Sequence, residues 1–429
     1  MTILLTFGLL FIGLSLTIPI FVVIAGTSFI TFAIMTSIPL SILPQRVFAG
    51  LESFPLLAIP FFFLAANIMS KGGLSARLIN FVQTMVGHFP GGLGITVVMT
   101  CTMFGAITGS SASTIVAVGT ILYPALLHAG YSERFSIGVL TCSALIGMII
   151  PPSNAMIIYG SVANVSIGAL FMSGIGAGLL FTFVYSAYCV FWATTNNVPR
   201  TTRATLKEIK KSLSEVFWGL GLPAIILGGI YGGVFTPTEA AAVSVIYAAI
   251  ISLVVYRELD LKGLWLVCVE SAHSSGRILI LVASASLFSW MLTVTGTTSD
   301  IASPMGEMRE SPVVLLAFTN ALALLSGMFI DVFSNILILV PIILGTLTSA
   351  GVGATHLGII MTVNVDMGNV TPPFGLNLFV ASGTFNQSYI TVVRAVIPWL
   401  CLAIICLLLI TYIPSISMWL PSQLYPELT

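Results

Sequence analysis

The sequence carries very little charge. Of 429 residues, 14 are Lys or Arg and 14 are Asp or Glu, together 7%. Soluble domains carry roughly 25%, so this chain has too few charges to cover a water-facing surface. The two signs cancel, leaving no basic field for nucleic acid or an anionic surface. No charge occurs before Arg46, between 79 and 132, or between 135 and 199. At about 20 residues per crossing, the last interval alone traverses a bilayer more than once. The signatures of several enzyme classes are missing too. No GxxxxGK[ST] is present and no Gly is followed by Lys, so the chain has no phosphate loop of its own for ATP. HExxH is absent and only four His occur, which argues against a proteolytic zinc site. Six Cys (101, 142, 189, 268, 401, 406) form no CxxC and read as small core residues. No nucleophile–base pair stands out, so the chain is not read as an enzyme.

Apolar residues, in contrast, make up 57% of the sequence. Hydropathic runs fall near 3–24, 28–44, 53–70, 93–107, 136–150, 168–193, 216–235, 239–256, 276–294, 312–326, 357–370 and 390–413. The first is long enough to span and has no positive n-region, so it is expected to be retained rather than cleaved as a signal. Together the runs predict an all-α polytopic membrane protein. Two further stretches, 109–128 and 327–349, open with Gly, carry small or polar residues near their start and end shortly after a Pro. Such segments are tolerated at membrane depth only inside protein or beside water. Both are predicted to be re-entrant helical hairpins.

One segment, 200–215, looks soluble. Arg200, Arg203, Lys207, Lys210 and Lys211 outnumber Glu208 and Glu215, which predicts a cytoplasmic basic linker. It divides the chain into 1–199 and 216–429, and these halves repeat. Gly109-Ser-Ser-Ala-Ser-Thr114 leads to Pro124 and then to Gly147-Met-Ile-Ile-Pro-Pro-Ser-Asn154. Gly327-Met-Phe-Ile-Asp331 leads to Pro341 and then to Gly368-Asn-Val-Thr-Pro-Pro-Phe-Gly375. Gly147 and Gly368 each precede a Pro-Pro pair by four residues, and Ser161 aligns with Ser382 at the same offset of 221. Matched interrupted segments in two halves point to a transporter site between inverted repeats.

Pro151-Pro152 and Pro372-Pro373 should each break a helix near mid-membrane, because Pro lacks an N–H and clashes with the preceding turn. The carbonyls freed before each pair suit a desolvated cation. The half-helix amino end beyond the break suits a carboxylate. A simple kink, satisfied by neighbouring helices and water, is the competing account. The tip from Thr108 to Thr114 is dense in hydroxyls, including Ser110, Ser111 and Ser113. These are ligands for a hard cation or substrate, or else small residues for close helix packing. Ser153, Asn154 and Asn377 offer donors to a substrate cavity, and an Asn there serves equally as a helix cap. Three carboxylates lie in apolar sequence, where acids are costly and functional by default. Asp331 is assigned to a cation site. Glu239, in Thr236-Pro-Thr-Glu239, reads as the partner in a capping box. Asp366 has no preferred role.

GSSAST with the following YPAL, GMIIPPSN, GVFTPTEAAAV, GMFIDVFSNILILVPI and VDMGNVTPPFGLNLF, in this order, resemble the large membrane subunit of tripartite ATP-independent periplasmic (TRAP) transporters. The resemblance implies an elevator-type secondary transporter of the bacterial inner membrane, coupled to Na+. It also implies a separate small four-helix membrane subunit and a periplasmic substrate-binding protein. Carboxylates are the family's cargo, including C4-dicarboxylates and sialic acids, and the sequence looks most like the sialic-acid branch. Carried onto this chain, the family's Na+ ligation falls on two sets. One is Thr108 and Ser110 with Gly147, Ile150 and Pro152; the other is Gly327 and Asp331 with Gly368, Thr371 and Pro373. Two alternatives are a stand-alone Na+/dicarboxylate symporter and an ion-translocating subunit of a respiratory complex. The apolar runs contain no Lys and too few acids for the proton relay the latter needs.

Overall fold

A chain this apolar must satisfy its backbone internally, and in lipid a helix does so within one segment. The computed structural model describes residues 2–16, 18–297 and 311–425, and among these there is no strand. The first half opens with α1 (Thr2–Ser15), α2 (Ile20–Met35), α3 (Ile42–Ala49), α4 (Ala58–Lys71) and α5 (Leu74–Val86). It continues with α6 (Gly92–Thr108), α7 (Ser111–His128), α8 (Glu133–Ser143), the single turn α9 (Ile146–Ile149), α10 (Asn154–Ala163) and α11 (Ile167–Thr195). Then follow α12 (Leu206–Tyr231), α13 (Pro237–Ile250), α14 (Leu261–Val294), α15 (Pro312–Gly327) and α16 (Val332–Ser349). The last four are α17 (Ala354–Gly368), α18 (Leu376–Phe385), α19 (Tyr389–Tyr412) and α20 (Ser415–Leu424). Eight helices of the described residues are long and apolar enough to cross a membrane. A ninth crossing arises if the pair Glu133–Ile149 and Asn154–Ala163, bent by 41°, counts as one.

Three expectations change in detail. The stretches 109–128 and 327–349 are not hairpins in themselves. Each begins at a hairpin turn and continues as one helix, through Pro124 or Pro341, while the preceding run supplies the other arm. A hydropathy profile marks apolar length but not the turn that folds it. The first run, 3–24, divides at Pro19, and α1 folds back on α2 with Gly13 against Val23. In the linker 200–215, helix α12 already starts at Leu206. Thr205 and Glu208 form its capping box, which outweighs the polarity of the sequence.

The elements group by packing. α14 lies along α2, α3 and α4, while α13 packs on α4 and on α12. Most of the remaining helices pack on the two hairpins, α6–α7 and α15–α16, or on one another, while α1 packs on α2. The buried Trp399 of α19 meets Phe135, Tyr185 and Tyr188 at centroid distances of 5.5, 5.2 and 4.8 Å, joining α8, α11 and α19. Many pairings cross between halves, and two of them tie the hairpins to the opposite half: α7 packs on α18, and α10 packs on α16.

The order of elements repeats. Each hairpin is followed by a helix that breaks at a cis Pro-Pro pair and then by a ten-residue helix. That helix ends on a left-handed Asn, Asn164 (φ 53°) or Asn386 (φ 51°). Next comes a helix capped by Ser166 or Ser388. These landmarks lie 222 residues apart, whereas the Pro pairs lie 221 apart. One extra residue between the second Pro pair and its ten-residue helix therefore shifts the register. Counting back from the Asn, Ser161 and Ser382 are not equivalent, which corrects their alignment at 221. Ser161 pairs with the Ser53 hydroxyl at 2.8 Å, and Ser382 donates to the Gln387 carbonyl at 2.7 Å.

Candidate functional site

Each hairpin tip meets the break of its own half, and glycine permits the approach. In the first half α6 ends at Thr108, Gly109 turns left-handed (φ 56°), and Ser110 caps α7 by accepting from the Ser113 N–H at 3.4 Å. A Cβ on Gly105 would lie 2.2 Å from the Gly147 Cα, and one on Gly109 would lie 2.6 Å from the Pro152 carbonyl oxygen. Thr108 Oγ1 is 3.3 Å from Thr114 Oγ1, which in turn flanks Gly147. The tip at Thr108 and Gly109 thus meets Gly147 and Pro152, with Ser110 next to Gly109 in the chain. Ile150 lies in the same break, its side chain against Gly178 of α11. The break spans four residues, 150–153, and is wholly buried. The carbonyls of Gly147 and Met148 would look four residues ahead for an N–H and find Pro151 and Pro152.

In the second half Gly327 ends α15 directly on Gly368, where a Cβ would fall 2.5 Å from the Gly327 Cα. Asp331 caps α16. Its Oδ2 accepts from the N–H groups of Phe333 and Ser334 at 3.1 Å each, and its Oδ1 from the Ser334 hydroxyl at 2.6 Å. The break is longer, 369–375, and its carbonyls find partners. Gly368 accepts from the Thr371 N–H at 3.0 Å, Asn369 from the Asn377 N–H at 2.9 Å, and Thr371 from the Gly375 N–H at 3.2 Å. The Pro373 carbonyl accepts from the Tyr389 hydroxyl at 2.7 Å, and the Thr371 hydroxyl donates to the Met367 carbonyl at 2.7 Å. Gly327 and Gly368 are therefore in contact and Thr371 and Pro373 share their break, while the hydrogen-bond partners of Asp331 are Phe333 and Ser334.

The substrate candidates divide between surface and seam. Ser113 is exposed. Ser153 is buried and caps α10, accepting from the Met156 N–H at 3.4 Å, and Asn154 donates to the Gly109 carbonyl at 3.3 Å. Ser111 donates to Asp366 Oδ1 at 2.8 Å and accepts from Asn377 Nδ2 at 2.9 Å. Ser111 and Asn377 are thus buried between the first hairpin tip and the second break. Asp366, which the sequence left without a role, is fully buried in the same contact. Glu239 has the capping role expected of it, its Oε2 accepting from the Thr236 N–H at 2.8 Å.

A cavity of about 420 Å³ opens elsewhere, where α14 and the segment between α3 and α4 face α10 and α16. Ser53, Ser161, Ser286, Ser289, Trp290 and Thr293 line it, and none of the five substrate candidates does. The Arg46 guanidinium stacks 4.8 Å from the centre of the Trp290 ring, and no ion pair of the described residues involves it. A signal for this wall was available. Ser286, Ser289 and Thr293 recur at steps of three and four, which puts their hydroxyls on one helix face.

Residues 5–416 match the family described as "Tripartite ATP-independent periplasmic transporter, DctM component". The C4-dicarboxylate TRAP transporter large permease protein DctM of Rhodobacter capsulatus is 38% identical over 99% of this chain and 100% of that protein. The sialic acid TRAP transporter permease protein SiaT of Haemophilus influenzae is 34% identical over 89% of this chain but 62% of its own length. Among solved structures, the YdaH transporter of Alcanivorax borkumensis superposes with a TM-score of 0.68 at 15% identity, covering 94% of this chain and 98% of that one. At that identity the likeness concerns the fold. Motif order, helical architecture and full-length identity agree: the chain belongs to the DctM component family of tripartite ATP-independent periplasmic transporters.

Proposed function

We propose that the chain is the Na+-coupled membrane subunit that moves a small organic acid across the bacterial inner membrane. A periplasmic protein presents the substrate, and a small four-helix membrane subunit completes the assembly. The observation that carries this reading is the pair of hairpin–break units, each joined through glycine backbone contacts. In the first unit Thr108, Ser110 and the carbonyls of Gly147, Ile150 and Pro152 would hold Na+. In the second, Asp331 and the carbonyls of Gly327, Gly368, Thr371 and Pro373 would do so. The hydroxyl-lined cavity lies between α14, on the frame side, and α10 and α16, on the hairpin side. An elevator movement of the inverted-repeat bundle against that frame would carry a substrate held there. C4-dicarboxylates stand ahead of sialic acids as cargo. The dicarboxylate relative is 38% identical over its whole length, and the sialic-acid relative 34% over part of its own.

The test is uptake of radiolabelled succinate, sialic acid and ectoine into liposomes, in Na+ or choline, with and without the periplasmic protein. Na+-dependent uptake of one acid only when that protein is present supports the proposal. Uptake by the chain alone would favour a stand-alone symporter, and equal uptake in choline would defeat Na+ coupling. Coupling between ion and substrate sites is typically about 1–3 kcal/mol. Substrate affinity in Na+ should therefore exceed that in choline by roughly 5- to 150-fold.

A further inference from the structure

Asp366 is the one buried Asp or Glu among the described residues, and no ion pair involves it. Its Oδ1 accepts from the Ser111 hydroxyl at 2.8 Å and from Asn369 Nδ2 at 3.5 Å. Its Oδ2 meets no donor of the described residues. The same is true of Asn377 Oδ1, while Asn377 Nδ2 donates to the Ser111 hydroxyl at 2.9 Å. The two polar atoms of a carboxylate or amide are about 2.2 Å apart, so both orphan oxygens sit within roughly 5 Å of Ser111 Oγ. Asp366 and Asn377 are both completely buried. The orphans are all acceptors, and no surplus donor accompanies them. That chemistry repels an anion and attracts a hard cation with oxygen ligands. A buried carboxylate with no counter-charge is otherwise costly in this setting.

We infer that Asp366 and Asn377 form a further Na+ site, oriented by Ser111, at the seam where the first hairpin tip touches the second break. Asp366 supplies the charge, Asn377 a neutral oxygen, and Ser111 fixes the angle between them through one donated and one accepted hydrogen bond. This site differs from the two hairpin–break units in drawing its residues from both halves. Its occupancy would hold the halves together, where each of the other sites acts within one half. The inference rests on Na+ being the coupling ion.

Thermal unfolding of the purified full chain in lipid nanodiscs, with NaCl exchanged for choline chloride at constant ionic strength, tests it. The slope of stability against log[Na+] counts ions bound by the folded state, so Asp366→Asn should flatten it by about a third, from three ions to two. Asn377→Leu, which keeps the volume and removes the oxygen, should flatten it similarly and carries the test if Asp366→Asn does not fold. In choline alone Asp366→Asn should be more stable than wild type, because it removes a charge that lacks its ion. Wild-type slopes in both variants would overturn this site and leave Na+ coupling standing. A flat wild-type response would overturn Na+ coupling and this site with it.

Discussion

The two hairpin–break units use the same parts and finish them differently. The first break is four residues long and wholly buried, and the prolines leave the Gly147 and Met148 carbonyls without their helical donors. The second is three residues longer, and the extra chain folds back to give Gly368, Asn369 and Thr371 donors of their own. Pro373 and Phe374 there are exposed. The tips differ in the opposite sense. The first carries only hydroxyls, whereas the second carries Asp331. A unit with idle carbonyl dipoles can attract a cation without formal charge. A unit whose carbonyls are already engaged brings a carboxylate instead. A Pro-Pro pair therefore does not by itself fix how many carbonyls lose their donors; the length of the break on both sides of it matters as well.

Substitutions that separate backbone contact from side-chain contact should have the largest effects. Gly105→Ala drives a Cβ onto the Gly147 backbone, and Gly368→Ala drives one onto Gly327. Each should cost about 2–3 kcal/mol or abolish expression, as overpacking does. Gly147→Ala meets the movable Thr114 hydroxyl first, at 2.9 Å, and should cost less than half as much. Detergent melting temperatures check the ranking, and equal losses at Gly105 and Gly147 would remove the distinction. Next come the caps. Asp331→Ala loses three hydrogen bonds and should cost about 1–2 kcal/mol, whereas Ser110→Ala, losing one long bond, should cost about 0.5 kcal/mol. Both should raise the Na+ concentration for half-maximal uptake, Asp331→Ala by more. A larger shift for Ser110→Ala would reverse the roles assigned to the two tips.

Tyr389→Phe frees the Pro373 carbonyl and so makes the second break more like the first. It should cost about 1 kcal/mol and lower the Na+ concentration for half-maximal uptake. An unchanged Na+ response would mean that the Pro373 carbonyl takes no part. The smallest effect is expected from Glu239→Gln, whose amide oxygen can still accept from Thr236. Neither melting temperature nor Na+ dependence should move, and lost Na+ dependence would show that this carboxylate does more than cap a helix.

What the sequence made legible were features fixed by local chemistry. Gly and Pro spacing located both tips and both breaks, and Thr236 with Glu239 announced a capping box that the structure contains. Local chemistry also held signals that were not used: Asp331 is followed by Ser334 at the start of a helix, which is cap spacing. Register failed where one inserted residue separated Ser161 from Ser382, because an alignment anchored on the Pro pairs does not see an insertion beyond them. The role of Asp366 was out of reach for another reason. Ser111 lies 255 residues away, and no local rule brings the two together.

That separation bears on how the protein is made. Ser111 enters the membrane long before either of its partners has been synthesised. At about 5–20 residues per second, the ribosome needs roughly 13 to 50 s to reach Asp366. During that interval the first hairpin must wait, the Ser111 hydroxyl without its final neighbours, while the intervening helices insert. The pairings of α7 with α18 and of α10 with α16 impose the same delay. A nascent chain arrested before Asp366 would therefore present a polar tip to lipid or to the insertion machinery, a signal that membrane quality control can read. Completion of the chain, rather than insertion of its first half, is the event that closes this bundle.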